Sequence, residues 1–181
     1  MSIAYTWGTT ADERALAYPC DRYIAAPRDE LYRGVTVDAP PAIVFRWLCQ
    51  LRAAPYSYDW IDNFGRRSPQ RLTPGLEALA PGQRVMKIFE LLEFEQDRSI
   101  TIRIIERGRA YRLFGSLAVT YMAVEQPAGG TRLLAKLSTH GSRGLIARAM
   151  RVILPWGDLV MMRRQLLNLK RLAEGTASGV T

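Results

Sequence analysis

The spacing of apolar residues predicts a set of strands in the middle of the chain. Residues 31–37 alternate with a period of two, which is typical of a half-buried strand. Further strands are predicted over residues 85–95, 99–106, 112–125 and 131–139, and Pro127-Ala128-Gly129-Gly130 is a strong hairpin turn. Alternation in residues 99–106 predicts one buried and one solvent-facing side. The buried side holds Ile100, Ile102 and Ile104, and the solvent-facing side holds Thr101 and Arg103.

Helical spacing predicts helices before and after these strands. Asp38, Pro40 and Pro41 suit the first turn of a helix over residues 40–52, and Pro55 follows its end. Shorter helices are predicted after Thr10 and within residues 56–64.

The C-terminal part is predicted to contain two helices. The first spans residues 143–154 and ends before Pro155, while the second begins at Asp158 as its cap and stops at Gly175. An apolar stripe runs along the second helix. It consists of Leu159, Met162, Leu166, Leu169 and Ala173.

The order of these elements predicts an α+β domain. With 181 residues, 48% of them hydrophobic, the chain is long enough for one domain with a sizeable core. We expect residues 1–30 to form an arm packed on the domain, residues 31–174 to form the domain and residues 175–181 to be a loose tail. A twisted sheet and a helix that close incompletely leave a pocket between them.

Composition excludes several classes of protein. No secretory signal and no apolar run of about 18 residues is visible, so we expect a cytoplasmic protein. Cys20 and Cys49 suggest neither a disulfide framework nor a metal motif, and with His140 they are too few for a four-ligand zinc site. The glycines form no nucleotide-binding motif, so no cofactor is expected.

The net charge of +8 is concentrated near the C-terminus. Residues 132–181 carry 9 basic and 2 acidic side chains, while the rest of the chain is nearly neutral. In residues 143–156, arginines interleave with apolar residues, a pattern compatible with docking on an anionic membrane. The same pattern also fits an ordinary solvated helix. No nucleic-acid-binding module is evident.

Four motifs together resemble the SRPBCC superfamily, which has the START-like or Bet v 1-like helix-grip fold and includes polyketide cyclases and lipid carriers. Thr6-Trp7-Gly8-Thr9 is similar to the opening of one bacterial branch, although Cys20 replaces an expected glycine. The other motifs are Asp38-Ala39-Pro40-Pro41 with Trp47, Tyr56-Ser57-Tyr58-Asp59-Trp60, and the segment from Asp158 to Arg164.

The resemblance implies a curved antiparallel sheet wrapped around a long C-terminal helix, with two short helices after the first strand. It also implies an apolar cavity between sheet and helix that binds a hydrophobic or aromatic, lipid-like or polyketide-like small molecule. Fold alone does not fix the activity, so a cyclase or dehydratase, or a lipid-transfer protein, stays open. The expected ligand-binding residues are Tyr56, Tyr58, Trp60, Phe89, Leu117, Tyr121, Met162 and Leu166.

Four side chains are candidates for catalysis if the protein is an enzyme. Tyr58 offers a phenol that orients a carbonyl or hydroxyl group, and Asp59 or Asp62 offers a proton acceptor if burial raises its pKa. His140 is the one side chain that ordinarily titrates near neutrality. The structural alternative is that the aromatic residues anchor a short helix, the aspartates cap it and His140 lies in a loop.

Overall fold

The computed structural model describes residues 2–62, 65–141 and 145–179, and for Asp62, Gly141 and residues 145–152 it describes only the backbone. Short helices α1 (Ile3–Thr6) and α2 (Ala11–Arg14) come first, followed by strand β1 (Asp29–Val37) and helix α3 (Pro41–Cys49). The remaining elements are α4 (Asp59–Asp62), β2 (Arg84–Val85), β3 (Phe89–Glu95), β4 (Ser99–Ile104), α5 (Arg109–Phe114), β5 (Ser116–Glu125), β6 (Thr131–Gly141) and α6 (Leu145–Ala177).

The six strands form one curved antiparallel sheet in the order β1-β6-β5-β4-β3-β2. The register aligns one row of buried apolar side chains across five of the strands, as the period of two requires. This row consists of Leu31, Leu137, Val119, Ile102 and Leu91.

Helices α3 and α6 cover the face of the sheet that carries this row. All five residues of the predicted apolar stripe on the terminal helix are buried, and α6 packs along β1 and α3. The core therefore lies between one face of the sheet and two helices, which confirms the predicted α+β helix-grip architecture.

The opposite face of the sheet is also covered, contrary to the sequence prediction for residues 99–106. Thr101 is fully buried, because the segment around Cys20 lies over it. The hydroxyls of Thr101 and Thr120 are 2.9 Å apart, and the Cys20 amide donates to the Thr120 hydroxyl at 2.9 Å. Arg103 remains partly exposed, as predicted.

Lys136 fixes the N-terminal segment to the same face. Its ammonium group lies 2.7 Å from carboxylate oxygens of both Asp21 and Glu30 and faces the rings of Tyr18 and Tyr32. The predicted helix after Thr10 is confirmed as α2. Thr10 and Glu13 form a reciprocal capping box there.

The predicted break at Pro155 is wrong, because α6 runs continuously through it. A proline removes one hydrogen bond of a helix, but a long-range contact supports this turn. The guanidinium of Arg33 donates to the Pro155 carbonyl at 3.3 Å and to the Asp158 carboxylate at 2.6 Å. Asp158 is therefore an interior helix residue rather than a cap, and the helix continues past Gly175 as well.

Other predicted elements are also shorter than expected. The strand predicted over residues 85–95 is divided into β2 and β3, because Met86 and Lys87 turn the chain with positive φ. The predicted strand over residues 112–125 begins only at Ser116, since α5 occupies its start and Gly115 turns the chain at a φ of 73°. The helix predicted within residues 56–64 is the single turn α4. Among the residues that the structure describes, no helix combines the length and apolarity needed to cross a membrane.

Candidate functional site

A cavity of about 520 Å³ lies between the C-terminal half of α6 and two segments, residues 56–60 and 65–70. Its volume falls within the range of roughly 300–1,000 Å³ that is typical of small-molecule sites. The lining residues come from the segment after α3 and from one face of α6. They are Tyr56, Ser57, Tyr58, Asp59, Trp60, Gly65, Arg67, Ser68, Gln70, Arg164, Asn168, Arg171 and Leu172.

Two amide side chains of α6 fix the inner wall of the cavity. The Gln165 side-chain amide donates to the Pro55 carbonyl at 2.6 Å, and the Asn168 amide donates to the Tyr56 carbonyl at 2.8 Å. Because Pro55 and Tyr56 follow the end of α3 in an irregular conformation, these bonds satisfy carbonyls that no regular element uses. The wall and the helix are therefore held in one fixed arrangement.

Further hydrogen bonds fix the residues that follow Tyr56. The Ser57 hydroxyl donates to the Met161 carbonyl at 3.2 Å. Both oxygens of the Asp59 carboxylate accept bonds from Ser68, one from its amide at 2.8 Å and one from its hydroxyl at 2.5 Å. Asp59 thus shapes the loop that surrounds the cavity.

Tyr56 forms the buried floor of the cavity. It is 1% exposed, has a φ of 55° and packs edge-to-face against Trp47 at 6.0 Å between ring centres. Burial, with a smaller contribution from Asp59, raises the pKa of Tyr56 to about 12, so the phenol is neutral at physiological pH. Its hydroxyl has no hydrogen-bond partner among the described residues.

The cavity is rich in positive charge. Arg67, Arg164 and Arg171 are exposed arginines on its lining, while Asp59 is the one acidic lining residue. The Arg164 guanidinium lies 5.9 Å from the centre of the Tyr58 ring, and Arg171 donates to the Gln70 amide oxygen at 2.6 Å. Within the described ranges, none of the three arginines forms an ion pair.

Three of the eight predicted ligand-binding residues line the cavity, namely Tyr56, Tyr58 and Trp60. The other five pack against or within the core between sheet and helix. They are Phe89, Leu117, Tyr121, Met162 and Leu166.

Several of these residues are deeply buried between the sheet and α6. Leu166 is fully buried, and the hydroxyl of the buried Tyr121 donates to the Gln165 amide oxygen at 2.7 Å. Burial strongly raises the pKa of Tyr121. No residue of the predicted apolar stripe is among the residues that line the cavity.

The candidate catalytic residues are not all brought together. Tyr58 and Asp59 line the cavity, and the side chain of Asp62 lies outside the described residues. His140 is exposed near the end of β6, with its Nδ1 3.4 Å from the Ala26 carbonyl oxygen, and it does not line the cavity. In the described part of the chain, no three His, Cys, Asp or Glu side chains form a metal-binding group.

Sequence reasoning missed the polar face of α6 that forms the far wall. Arg164, Asn168 and Arg171 recur at intervals of four and three residues, so they share one side of the helix. This spacing is visible in the sequence beside the apolar stripe. The same spacing is also typical of a solvent-exposed helix face. The three side chains line a cavity only because residues 56–60 and 65–70 lie opposite them.

Comparison with known proteins supports the fold assignment but not a function. No family model matches the chain, and no curated protein does. A solution structure of a Thermobifida fusca protein is 13% identical, with a TM-score of 0.51, over 79% of this chain and 94% of that chain. At this identity the likeness shows a shared fold.

Solved structures with lower TM-scores include two plant proteins. A ginseng (Panax ginseng) major latex-like protein is 12% identical over 82% of this chain and 96% of that chain, with a TM-score of 0.45. Norcoclaurine synthase of Thalictrum flavum is 9% identical over 80% of this chain and 93% of that chain, with a TM-score of 0.47. The bacterial branch suggested by residues 6–9 stays a prediction.

Proposed function

We propose that this helix-grip protein binds a hydrophobic or aromatic small molecule in the cavity between residues 56–60 and 65–70 and helix α6. The observation that carries the proposal is the cavity itself, which has a rigid wall and an aromatic lining. Tyr58 and Trp60 offer ring surface, and Leu172 adds an aliphatic contact. The remaining lining residues are mostly polar, so a ligand meets aromatic surface and polar groups together.

The hydrogen bonds of Asp59 favour a binding function over an enzymatic one. A general base needs a carboxylate oxygen directed at the substrate, whereas both oxygens of Asp59 accept hydrogen bonds from Ser68. His140 is remote from the cavity lining. A cyclase or dehydratase needs a general acid or base at the cavity, whereas a carrier or binding protein does not, so the arrangement of the described residues favours binding.

A fluorescent probe and a blocking variant test this proposal. N-phenylnaphthylamine is a neutral aromatic molecule whose emission rises in an apolar site. We expect it to bind the wild type saturably and to bind Gln70→Trp at least about tenfold more weakly, because the indole fills the cavity from an exposed position.

The matched control is Gln96→Trp, which adds the same ring at another exposed glutamine outside the lining residues. We expect it to bind the probe like the wild type. Equal affinities of all three proteins would contradict the proposed site.

A second proposal, contact with an anionic membrane, rests on an apolar stripe of α6. Ile153, Trp156 and Val160 follow one another at helical spacing and are 59%, 52% and 52% exposed. The exposed Arg163 and Arg164 follow within the next turn. Exposed aromatic and aliphatic residues beside arginines are typical of interfacial helices. The arginines of residues 143–151 predicted for this contact lie outside the described side chains.

Vesicle flotation tests this contact. We expect binding to vesicles that contain phosphatidylserine, weaker binding in high salt because the Debye length shortens, and loss of binding in Trp156→Asp. Leu113→Asp changes another exposed apolar residue, on α5, and we expect it to bind like the wild type. Binding that is insensitive to both salt and Trp156→Asp would contradict the proposal.

A further inference from the structure

The geometry points to a more specific ligand: an aromatic or aliphatic molecule that carries an anionic group, bound between Arg164 and Arg171. This inference rests on the proposed binding function and names the chemical class of its ligand. The anionic group is an oxyanion such as a carboxylate, phosphate or sulfonate, which planar guanidinium groups bind well. The apolar body lies against Tyr58, Trp60 and Leu172.

The first argument is that the arginines of the cavity lack acidic partners. Six arginines elsewhere in the described residues form ion pairs with carboxylates, and these pairs are Arg22–Glu93, Arg33–Asp158, Arg46–Glu77, Arg98–Glu95, Arg103–Glu90 and Arg132–Glu13. Others donate to backbone carbonyls, as Arg52 does. Three arginines line the cavity beside a single acid, Asp59, whose carboxylate is bonded to Ser68. The cavity thus keeps a net positive charge at its wall.

The second argument concerns the placement of these charges. Arg164 and Arg171 are seven residues apart, so they share one side of α6 about 10 Å apart along its axis. Because arginine side chains are long and flexible, both guanidinium groups can contact one anionic group of a ligand that lies between them. Arg67 lines the same cavity from the opposite wall, and the Tyr58 ring supports Arg164.

Two probes that differ by one group test the inference. Anilinonaphthalene sulfonate is N-phenylnaphthylamine with an added sulfonate. We expect the sulfonate probe to bind the wild type at least about tenfold more tightly than the neutral probe. We expect Arg164→Gln and Arg171→Gln each to lose about tenfold in affinity for the sulfonate probe and less than about twofold for the neutral one.

Arg163→Gln is the matched control. It removes the same charge from the same helix, but Arg163 faces the ring of Trp7 and does not line the cavity. We expect both probes to bind it like the wild type, and circular dichroism checks that all variants are folded.

Each outcome decides between the claims. Equal affinity of the wild type for both probes would overturn the inference while leaving the proposed function intact. The same loss in Arg163→Gln as in Arg164→Gln would also overturn it, because the effect would then reflect general charge. Absence of saturable binding of either probe would overturn both the proposed function and the inference.

Discussion

Asp158→Ala is expected to lower the free energy of unfolding by about 3–5 kcal/mol, because it leaves the Arg33 guanidinium buried without its counter-ion. The Arg33 side chain is 1% exposed and that of Asp158 is 8% exposed, and their charged atoms are 2.6 Å apart. Arg33 also donates to the carbonyls of Tyr32, Ala4 and Pro155, which do not neutralise its charge. Urea unfolding followed by circular dichroism measures the loss.

Replacing both partners by apolar residues distinguishes the effect of the buried charge from the effect of lost side-chain volume. We expect Arg33→Met combined with Asp158→Leu to be more stable than Asp158→Ala alone, because no buried charge remains. A double variant that is no more stable than Asp158→Ala would contradict the assignment of a coupled ion pair.

The pair is ionised at neutral pH. Burial raises the pKa of Asp158 to about 6, and the neighbouring Arg33 guanidinium opposes this rise. The carboxylate therefore still carries its negative charge at pH 7, where the unfolding experiments are made.

Trp47→Ala has the second large expected effect, a loss of about 3–5 kcal/mol in the free energy of unfolding. Trp47 is fully buried, packs against the ring of Tyr56, and donates from its indole nitrogen to the Thr176 hydroxyl at 3.0 Å. The substitution leaves a void beneath the floor of the cavity. Thermal or urea unfolding measures the loss.

Trp60→Ala is the matched comparison for Trp47→Ala. Trp60 is 75% exposed, so its removal is expected to change the free energy of unfolding by less than about 0.5 kcal/mol. Because Trp60 lines the cavity, we expect weaker binding of N-phenylnaphthylamine in this stable variant. Unchanged probe affinity would contradict a role of Trp60 in binding.

Much of the fold follows from local patterns in the sequence. The spacing of Leu159, Met162, Leu166 and Leu169 places them on one side of a helix, and they are buried against the sheet as predicted. The break at Pro155 could not be judged locally, because the contact that supports the helix comes from Arg33, far away in the sequence. Likewise, the alternation around Thr101 does not reveal that the N-terminal segment covers its side of the sheet.

The site was predictable only in part for a similar reason. Tyr56, Tyr58 and Trp60 stand out because aromatic residues are concentrated there, and all three line the cavity. The resemblance implied an interior pocket that includes Leu117 and Tyr121; both are buried in the core, and their role in binding stays a prediction. The position of the cavity depends on the contacts of Gln165 and Asn168 with an irregular segment, and no periodic pattern encodes such contacts.

The most direct test of the central claim is an NMR titration that maps where N-phenylnaphthylamine binds. We predict saturable shifts of the backbone amides of residues 56–60, 65–70 and 164–172, with little change in the strands of the sheet. Shifts centred on residues 117–121 of β5, or the absence of saturable shifts, would contradict the claim that the cavity between residues 56–60 and 65–70 and helix α6 is the binding site.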